Sequence, residues 1–236
     1  MLRAIVFDFN GVLVDDEPLH LRMFQKVLGE EGVALSDRDY YDHYLGFDDR
    51  GCFSAVLAAA GRPVEVARVM RLIARKAMYY QETIRRQGYP FFPGAAEFAT
   101  EVADAGLTLG LVSGALREEV EGALRQAGLR ERFKTVITAE DVEVGKPNPE
   151  GYRQALQEFN SRPPLPARLV HPHEVLAVED SPAGLLAAAG AGLVTLGVGQ
   201  TYPVAELGDA DFAVRALAGL ALAAVQSLYE RRRDRA

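Results

Sequence analysis

The sequence predicts an α/β fold, a doubly wound parallel sheet carrying an inserted all-helical segment. Three observations predict it. Short apolar runs rich in β-branched and aromatic residues, bounded by turn residues, read as buried strands. Such runs alternate with helix-spaced segments from about residue 92 onward, and strands alternating with helices imply parallel βαβ units. Between about Asp15 and Gly88 the spacing is helical throughout and no convincing strand appears. A chain of 236 residues suits one domain, or one domain with a smaller insert. The charge balance of 26 basic against 33 acidic residues gives −7, which lacks the electrostatic footprint of a general nucleic-acid binder. A single cysteine, Cys52, excludes an internal disulfide and a multi-cysteine zinc site.

The first strand is the run Ala-Ile-Val-Phe-Asp-Phe at 4–9, stopped by Asn10-Gly11. Leu19, Met23, Phe24 and Val27 then recur at helical spacing until Gly32 stops them. Cys52, Val56 and Leu57 mark a second helical stretch, and Val66, Val69, Met70, Ile73 and Met78 a third. The turn residues of Gly88-Tyr-Pro-Phe-Phe-Pro-Gly94 mark a boundary. A helix follows at about 95–105, then a strand at 107–112 ending in Ser113-Gly114. A helix at about 118–127 is capped by Gly128, and 135–138 reads as a strand. A helix covers about 149–159, and a loop with Pro163, Pro164, Pro166 and Pro172 separates it from a strand at 174–178. That strand ends at Glu179-Asp180. Pro182 opens a helix ending near Gly190, and 194–198 is a strand.

Ligands of such sheets bind beyond the carboxyl ends of the strands. The polar groups there are Asp8, Asn10, Ser113, Gly114, Glu179 and Asp180. A strand buried on both faces has little reason to end in a carboxylate unless a cation is bound there. Carboxylates at two separate strand ends suit a hard cation such as Mg²⁺. The Ser113 hydroxyl and backbone N–H groups at a helix start suit phosphate oxygens. Lys146, in Val-Gly-Lys-Pro-Asn-Pro, can neutralise both a nucleophile and a phosphate.

Four segments carry a family resemblance. Phe7-Asp8-Phe9-Asn10-Gly11-Val12-Leu13-Val14-Asp15 resembles the first motif of the haloacid dehalogenase (HAD) superfamily. Leu111-Val112-Ser113-Gly114 resembles the second, Gly145-Lys146-Pro147 the third, and Val178-Glu179-Asp180-Ser181-Pro182-Ala183-Gly184 the fourth. They occur in the right order and span nearly the whole chain. The helical insert is similar to the cap of the β-phosphoglucomutase-like branch, whose members are mostly Mg²⁺-dependent phosphatases of small metabolites, with some phosphomutases and dehalogenases. The resemblance implies a Rossmann-like core at 1–14 and 92–236 with a helical cap at 15–91. It implies that Asp8 is a nucleophile forming an aspartyl-phosphate. It implies that Asp8, Asp180 and the backbone carbonyl of Asn10 bind Mg²⁺, with Glu179 supporting the metal or holding Lys146. Ser113, the N–H of Gly114 and Lys146 would take the phosphoryl group. The expected activity is hydrolysis of a small phosphate monoester, with a phosphomutase or a phosphometabolite-binding protein of vestigial turnover as alternatives.

Asn10 departs from the family pattern. That position is usually an Asp that protonates the leaving oxygen and then activates water, and a neutral amide does neither. The backbone contact to metal survives the change, so a complete binding site with a weakened proton-transfer step is expected. Asp15, Asp16, Glu17 or a substrate group could supply the acid instead. Otherwise the chain is slow, acts as a binder, or runs chemistry that needs no acid there, as family dehalogenases do. An engineered trap, or deamidation at Asn10-Gly11, would also account for the amide.

Weaker signals remain. Arg50, in Gly46-Phe-Asp-Asp-Arg50, sits where this branch often places a specificity loop, and Lys76 where members often carry a basic pair. His20 is read as a packed histidine near the hinge or a cap contact to substrate. His171-Pro-His173 has no third ligand nearby, and Gly190-Ala-Gly192 has its helix and strand in the wrong order for a dinucleotide fingerprint. Cys52 reads as a small packed residue. The expected partner is a small phosphorylated metabolite, with no nucleic acid and no membrane, and the expected state a monomer or weak homodimer. The apolar run at 4–7 is too short for a signal-peptide core, so a cytoplasmic location is expected. The four Arg between Glu230 and Arg235 read as a solvated helix end.

Overall fold

The computed structural model describes residues 1–233. Positions 234–236, which include Arg235 of the Arg-rich end, lie outside the described residues. The chain divides into two compact units, Asp16–Gly88 and Met1–Asp15 with Tyr89–Ala236.

The Asp16–Gly88 unit is all-helical among the described residues. It holds α1 (Glu17–Glu30), α2 (Asp37–His43), α3 (Asp49–Ala59) and α4 (Val66–Gln87). Leu21, Phe24, Val27 and Leu28 of α1 meet Tyr40 of α2, Cys52, Phe53, Val56 and Leu57 of α3, and Val69 and Leu72 of α4. Ser36 caps α2 by accepting the Asp39 N–H at 3.0 Å, and Asp48 caps α3 by accepting the Gly51 N–H at 2.6 Å. The third apolar stripe differs from expectation. The buried side of α4 carries Val69, Leu72, Lys76, Tyr80 and Ile84, whereas Val66, Met70 and Met78 are exposed. The true face recurs at three- and four-residue steps through a lysine. Reading apolar residues alone found Val69 and Ile73 on the packed side but skipped Lys76 and took in the three exposed residues.

The other unit is built on six strands: β1 (Ala4–Phe7), β2 (Thr108–Val112), β3 (Phe133–Ile137), β4 (Val175–Glu179), β5 (Val194–Val198) and β6 (Phe212–Val214). Their order is β3-β2-β1-β4-β5-β6 and every pairing is parallel. This is the doubly wound sheet that the sequence predicts. The order reverses at β1, where one half runs out through β2 and β3 and the other through β4, β5 and β6. The carboxyl ends of β1 and β4 therefore flank the switch-point crevice.

Helices cover both faces. The helices α5 (Ala95–Asp104), α6 (Arg117–Gln126) and α9 (Leu222–Arg233) share one core with Ile5 and Phe7 of β1, through residues such as Phe98, Leu124 and Tyr229. The helices α7 (Glu150–Ser161) and α8 (Pro182–Gly190) share the opposite core with Ala4 and Val6, through Tyr152, Phe159 and Ala187. Alternate β1 side chains thus enter different cores, as the two-residue strand period requires. With both faces covered, only the strand ends are left for polar chemistry. No described helix is long and apolar enough to cross a membrane.

Candidate active site

Each polar group at the strand ends is placed by the parallel ladder. Phe7 of β1 pairs with Val178 of β4, and the Asp8 N–H extends the ladder by donating to the Val178 carbonyl at 2.9 Å. Asp8 consequently comes level with Glu179, the last residue of β4, and Asp180 follows directly. Ser113 extends β2 in the same way, donating its N–H to the Ile137 carbonyl of β3 at 2.9 Å. Lys146 lies in the loop between β3 and α7. Four adjacent strands therefore deliver one group or more each to a single edge.

The chain turns sharply after Asp8. Gly11 has φ +78°, and the Gly11 N–H and Val14 carbonyl close the turn at 2.9 Å. A Cβ at Gly11 would run into the Asp180 carboxylate and the Thr201 hydroxyl. The residue must be glycine on both counts, and the Gly11 backbone is brought against Asp180. Gln200 fixes the turn from the loop after β5, donating to the Gly11 carbonyl at 2.8 Å and the Val12 carbonyl at 3.2 Å.

Lys146 joins the acids. Its ammonium donates to Asp8 Oδ1 at 2.6 Å and lies 2.6 Å from Glu179 Oε1. The Tyr152 hydroxyl donates to that same Glu179 oxygen. Glu179 Oε2 is buried and has no hydrogen-bond partner among the described residues. Asp8, Glu179 and Asp180 are all buried, and each offers a carboxylate oxygen within 4.8 Å of the others. Burial drives the Glu179 carboxyl above its ordinary range against the pull of Lys146, with the Asp8 charge adding to the rise. Burial, followed by the charges of Asp8 and Glu179, does the same to Asp180 more strongly. Burial works against the Lys146 charge, yet Asp8 and Glu179 outweigh it and hold the ammonium protonated above its ordinary range. Burial and then the Glu179 charge keep Tyr152 a hydroxyl.

With all three carboxyls ionised, one ammonium would leave a surplus of negative charge in a buried place, which is why Glu179 and Asp180 are pushed toward their protonated forms. A partnerless carboxylate oxygen adds to the imbalance, and such an oxygen is costly unless something cationic reaches it. The donor set is hard oxygen, the kind that Mg²⁺ and Ca²⁺ prefer. The residues present therefore fit a divalent metal ion.

Ser113 and Gly114 lie beside Lys146 on a cavity of about 210 Å³, with Val112, Ile137, Val142, Val144 and Tyr152 among its other walls. Ser113 is buried, and its hydroxyl accepts the Ala115 N–H at 2.9 Å. The sheet unit thus joins Asp8 and Glu179 through Lys146, brings Asp180 within 4.8 Å of both acids, and sets Ser113 and Gly114 on the cavity that Lys146 also lines.

Arg50, Lys76 and His20 belong to the helical unit. Arg50 is exposed in the first turn of α3. Lys76 is neither solvated nor unpartnered. Its ammonium is ion-paired with Asp49, donates to His20 Nδ1 at 2.8 Å and stands 4.2 Å from the centre of the Phe24 ring. A protonated lysine on Nδ1 makes Nε2 the protonated nitrogen of His20, which faces Asp16 Oδ2 at 3.3 Å. His20 also stacks on Tyr80, whose hydroxyl donates to the same Asp16 oxygen at 2.8 Å. Glu17 accepts the Tyr40 hydroxyl. Of the three acids considered as replacements for Asn10, Asp16 and Glu17 are engaged inside the helical unit, and Asp15 belongs to the sheet unit.

Sequence reasoning missed Tyr152, Gly184, Gln200 and Thr201. A Cβ at Gly184 would collide with the Glu179 carboxylate, and the Thr201 side chain hydrogen-bonds Asp180. Gln200 and Thr201 follow the predicted strand at 194–198 but carry no charge to mark them, and Gly184 stood inside the fourth motif without a role of its own. Tyr152 falls at an apolar position of α7, where an aromatic residue reads as core.

A family model described as haloacid dehalogenase-like hydrolase matches residues 2–192. Validoxylamine A 7'-phosphate phosphatase of Streptomyces hygroscopicus subsp. limoneus is 28% identical over 224 residues, covering 92% of this chain and 95% of that protein. The β-phosphoglucomutase of Bacillus subtilis is 25% identical over 237 residues, covering 99% and 98%. A crystal structure of CbbY from Rhodobacter sphaeroides, an Asp-to-Asn mutant in complex with xylulose-1,5-bisphosphate, superposes with a TM-score of 0.79 at 27% identity, covering 94% of this chain and 98% of that one.

Proposed function

The chain belongs to the haloacid dehalogenase-like hydrolases, and we propose that within this family it is a Mg²⁺-dependent phosphatase of a small phosphate monoester, a sugar phosphate or similar metabolite. The observation that carries the proposal is the buried trio Asp8, Glu179 and Asp180 at the switch point of the sheet, with Lys146 reaching two of them. Asp8, Asp180 and the backbone of Asn10 would hold the metal, with Glu179 beside them. When bound, Mg²⁺ supplies positive charge to the phosphoryl oxygens and lowers the repulsion between them and the carboxylates.

The chain's own residues do the rest. Ser113, the N–H of Gly114 and Lys146 bind the phosphoryl oxygens and orient the phosphorus toward Asp8. An Asp8 carboxylate oxygen attacks phosphorus, the ester P–O bond breaks, and an aspartyl-phosphate forms. The departing alkoxide takes up a proton. Water then attacks the phosphorus of the acyl phosphate, loses a proton, and releases inorganic phosphate and the free Asp8 carboxylate. Asn10 neither gives the first proton nor takes the second, and acid–base help of this kind is commonly worth about 10²–10⁴-fold.

That amide favours a second reading, a phosphometabolite binder with slow turnover. Support comes from the Rhodobacter relative, in which an Asp-to-Asn mutant holds a sugar bisphosphate. The deciding experiment measures phosphate release from sugar phosphates, phosphoglycolate and nucleotides with Mg²⁺, using the chain and its Asn10→Asp variant side by side. The variant is expected to turn over a shared substrate about 10²–10⁴-fold faster. Equal rates would show that another group moves the protons. No turnover by either, with a phosphate ligand retained, would establish the binder.

A further inference from the structure

We propose that Tyr152 is a positioning residue for the metal site, acting through Glu179. The inference rests on the metal reading given above and extends it to a residue on α7.

Tyr152 lies on the buried side of α7 with Gly151, Ala155 and Phe159. A phenylalanine would satisfy that apolar face, and a hydroxyl in a closed core is unfavourable unless it finds a partner. The hydroxyl of Tyr152 finds Glu179 Oε1, the oxygen that also faces Lys146. The Tyr152 ring centre stands 5.6 Å from the Lys146 ammonium, so one side chain borders both members of the ion pair. Two donors therefore converge on one carboxylate oxygen, and the other oxygen has no partner among the described residues.

Gly184 of α8 completes the arrangement. Its Cα lies so close to the Glu179 carboxylate that any Cβ there would collide with both oxygens. Glu179 is thus pinned from α7 by a hydroxyl and enclosed from α8 by bare backbone. Lys146 could shift toward Asp8 or toward a bound phosphate, but Tyr152 is anchored in the core and stays on Oε1. It fixes which oxygen remains for the cation and holds that oxygen's orientation while Lys146 is in use. Partners that orient a ligand in this way commonly govern metal affinity.

The test is the Tyr152→Phe variant, with Mg²⁺ titrated calorimetrically into metal-free protein. Circular dichroism and thermal melting of the metal-free form serve as the folding readout. The expected result is a folded protein whose Mg²⁺ Kd is about tenfold weaker than wild type. A Kd unchanged within about twofold overturns the proposal, and a lower melting temperature with that unchanged Kd shows that Tyr152 merely packs. Crystals of wild-type protein grown with Mg²⁺ give an answer independent of how the variant folds. Tyr152 on Oε1 with the metal or its water on Oε2 supports the proposal, and the reverse arrangement overturns it. Wild-type protein that takes up no Mg²⁺ overturns the metal reading and this inference together. Wild-type binding preserved in the variant overturns only this inference.

Discussion

The strand that carries the acid pair is tied down at its other end by Glu174, and that tie makes a quantitative prediction. Glu174 is buried just ahead of β4, and its carbonyl accepts the Arg3 N–H at 2.9 Å, linking it to the start of β1. Its carboxylate accepts from both terminal nitrogens of Arg168, at 2.9 and 2.5 Å, and from the His171 N–H at 3.1 Å. Arg3 stands 3.7 Å away. The Arg168 hydrogen bonds, against the cost of burial and with help from the His171 N–H, bring the carboxyl down from 4.5 to about 2. A carboxyl lowered on folding binds fewer protons in the folded state. Its stabilisation is complete above the unfolded value of 4.5 and disappears as pH falls through about 2. The gap of 4.5 − 2 corresponds to about 3.4 kcal/mol at 1.36 per unit. The Arg168 side chain is 57% exposed, and solvent screening reduces the contribution to about 1–2 kcal/mol. Glu174→Gln keeps the shape and removes the charge. The variant should be less stable by that amount near neutral pH, and the difference should close as the medium is acidified. Urea unfolding at a series of pH values measures it, followed by far-ultraviolet circular dichroism because the chain has no tryptophan. A variant whose stability tracks the wild type at a constant offset across the acid range would refute the linkage argument.

Three further outcomes follow from the acid pair. Gly184→Ala places a methyl group against the Glu179 carboxylate; it should destabilise the fold by about 1–3 kcal/mol and weaken Mg²⁺ binding, as urea unfolding and calorimetry will report. Lys146→Met removes the cation shared by Asp8 and Glu179; metal-free protein should lose about 3–5 kcal/mol above neutral pH, and an added Asp8→Asn change should recover part of it in the same unfolding assay. Adding Mg²⁺ at a hundredfold excess over Kd should stabilise wild-type protein by about 2.7 kcal/mol, raising the melting temperature by about 5–10 °C in a scan that chelation reverses.

Much of the architecture was legible because the sheet is buried on both faces. A strand such as β1 must then be a continuous apolar run, and the acid that ends it stands out against that run. The same contrast marked Glu179 and Asp180. Shorter and less contrasted elements escaped. The strand β6 is three residues at the sheet edge, and its central Ala213 is exposed. The helix α2, sequence Asp-Arg-Asp-Tyr-Tyr-Asp-His, buries Tyr40 alone, so it has no stripe to find. Its signal was the cap, Ser36 followed three residues later by Asp39. The α4 face was read only in part, because Lys76 occupies a buried position that a hydrophobicity pattern treats as solvent. In the candidate site, the strand-end acids were readable from the sequence and the residues packed against them were not. Tyr152 and Gly184 have ordinary identities for helix positions, and only the fold places them on Glu179.

The charge distribution explains why Asn10 can stand where it does. Asp8, Glu179 and Asp180 already crowd three carboxylates into a buried space with one ammonium. An aspartate at position 10 would bring a fourth carboxylate to the turn that lies against Asp180. The amide spares the metal-free site that repulsion and leaves the Asn10-Gly11 backbone in place, because the turn is set by Gly11 and Gln200. On the proposed reading, ligand binding and proton transfer separate at this position, the first resting on backbone and the neighbouring acids and the second on the side chain. Asn10→Asp should leave the fold unchanged, lower the stability of metal-free protein, and restore its gain only when Mg²⁺ is present. Parallel melting curves of the two proteins with and without Mg²⁺ will test this, and equal metal-free stability would show that the fourth carboxylate is too far from Asp180 to matter.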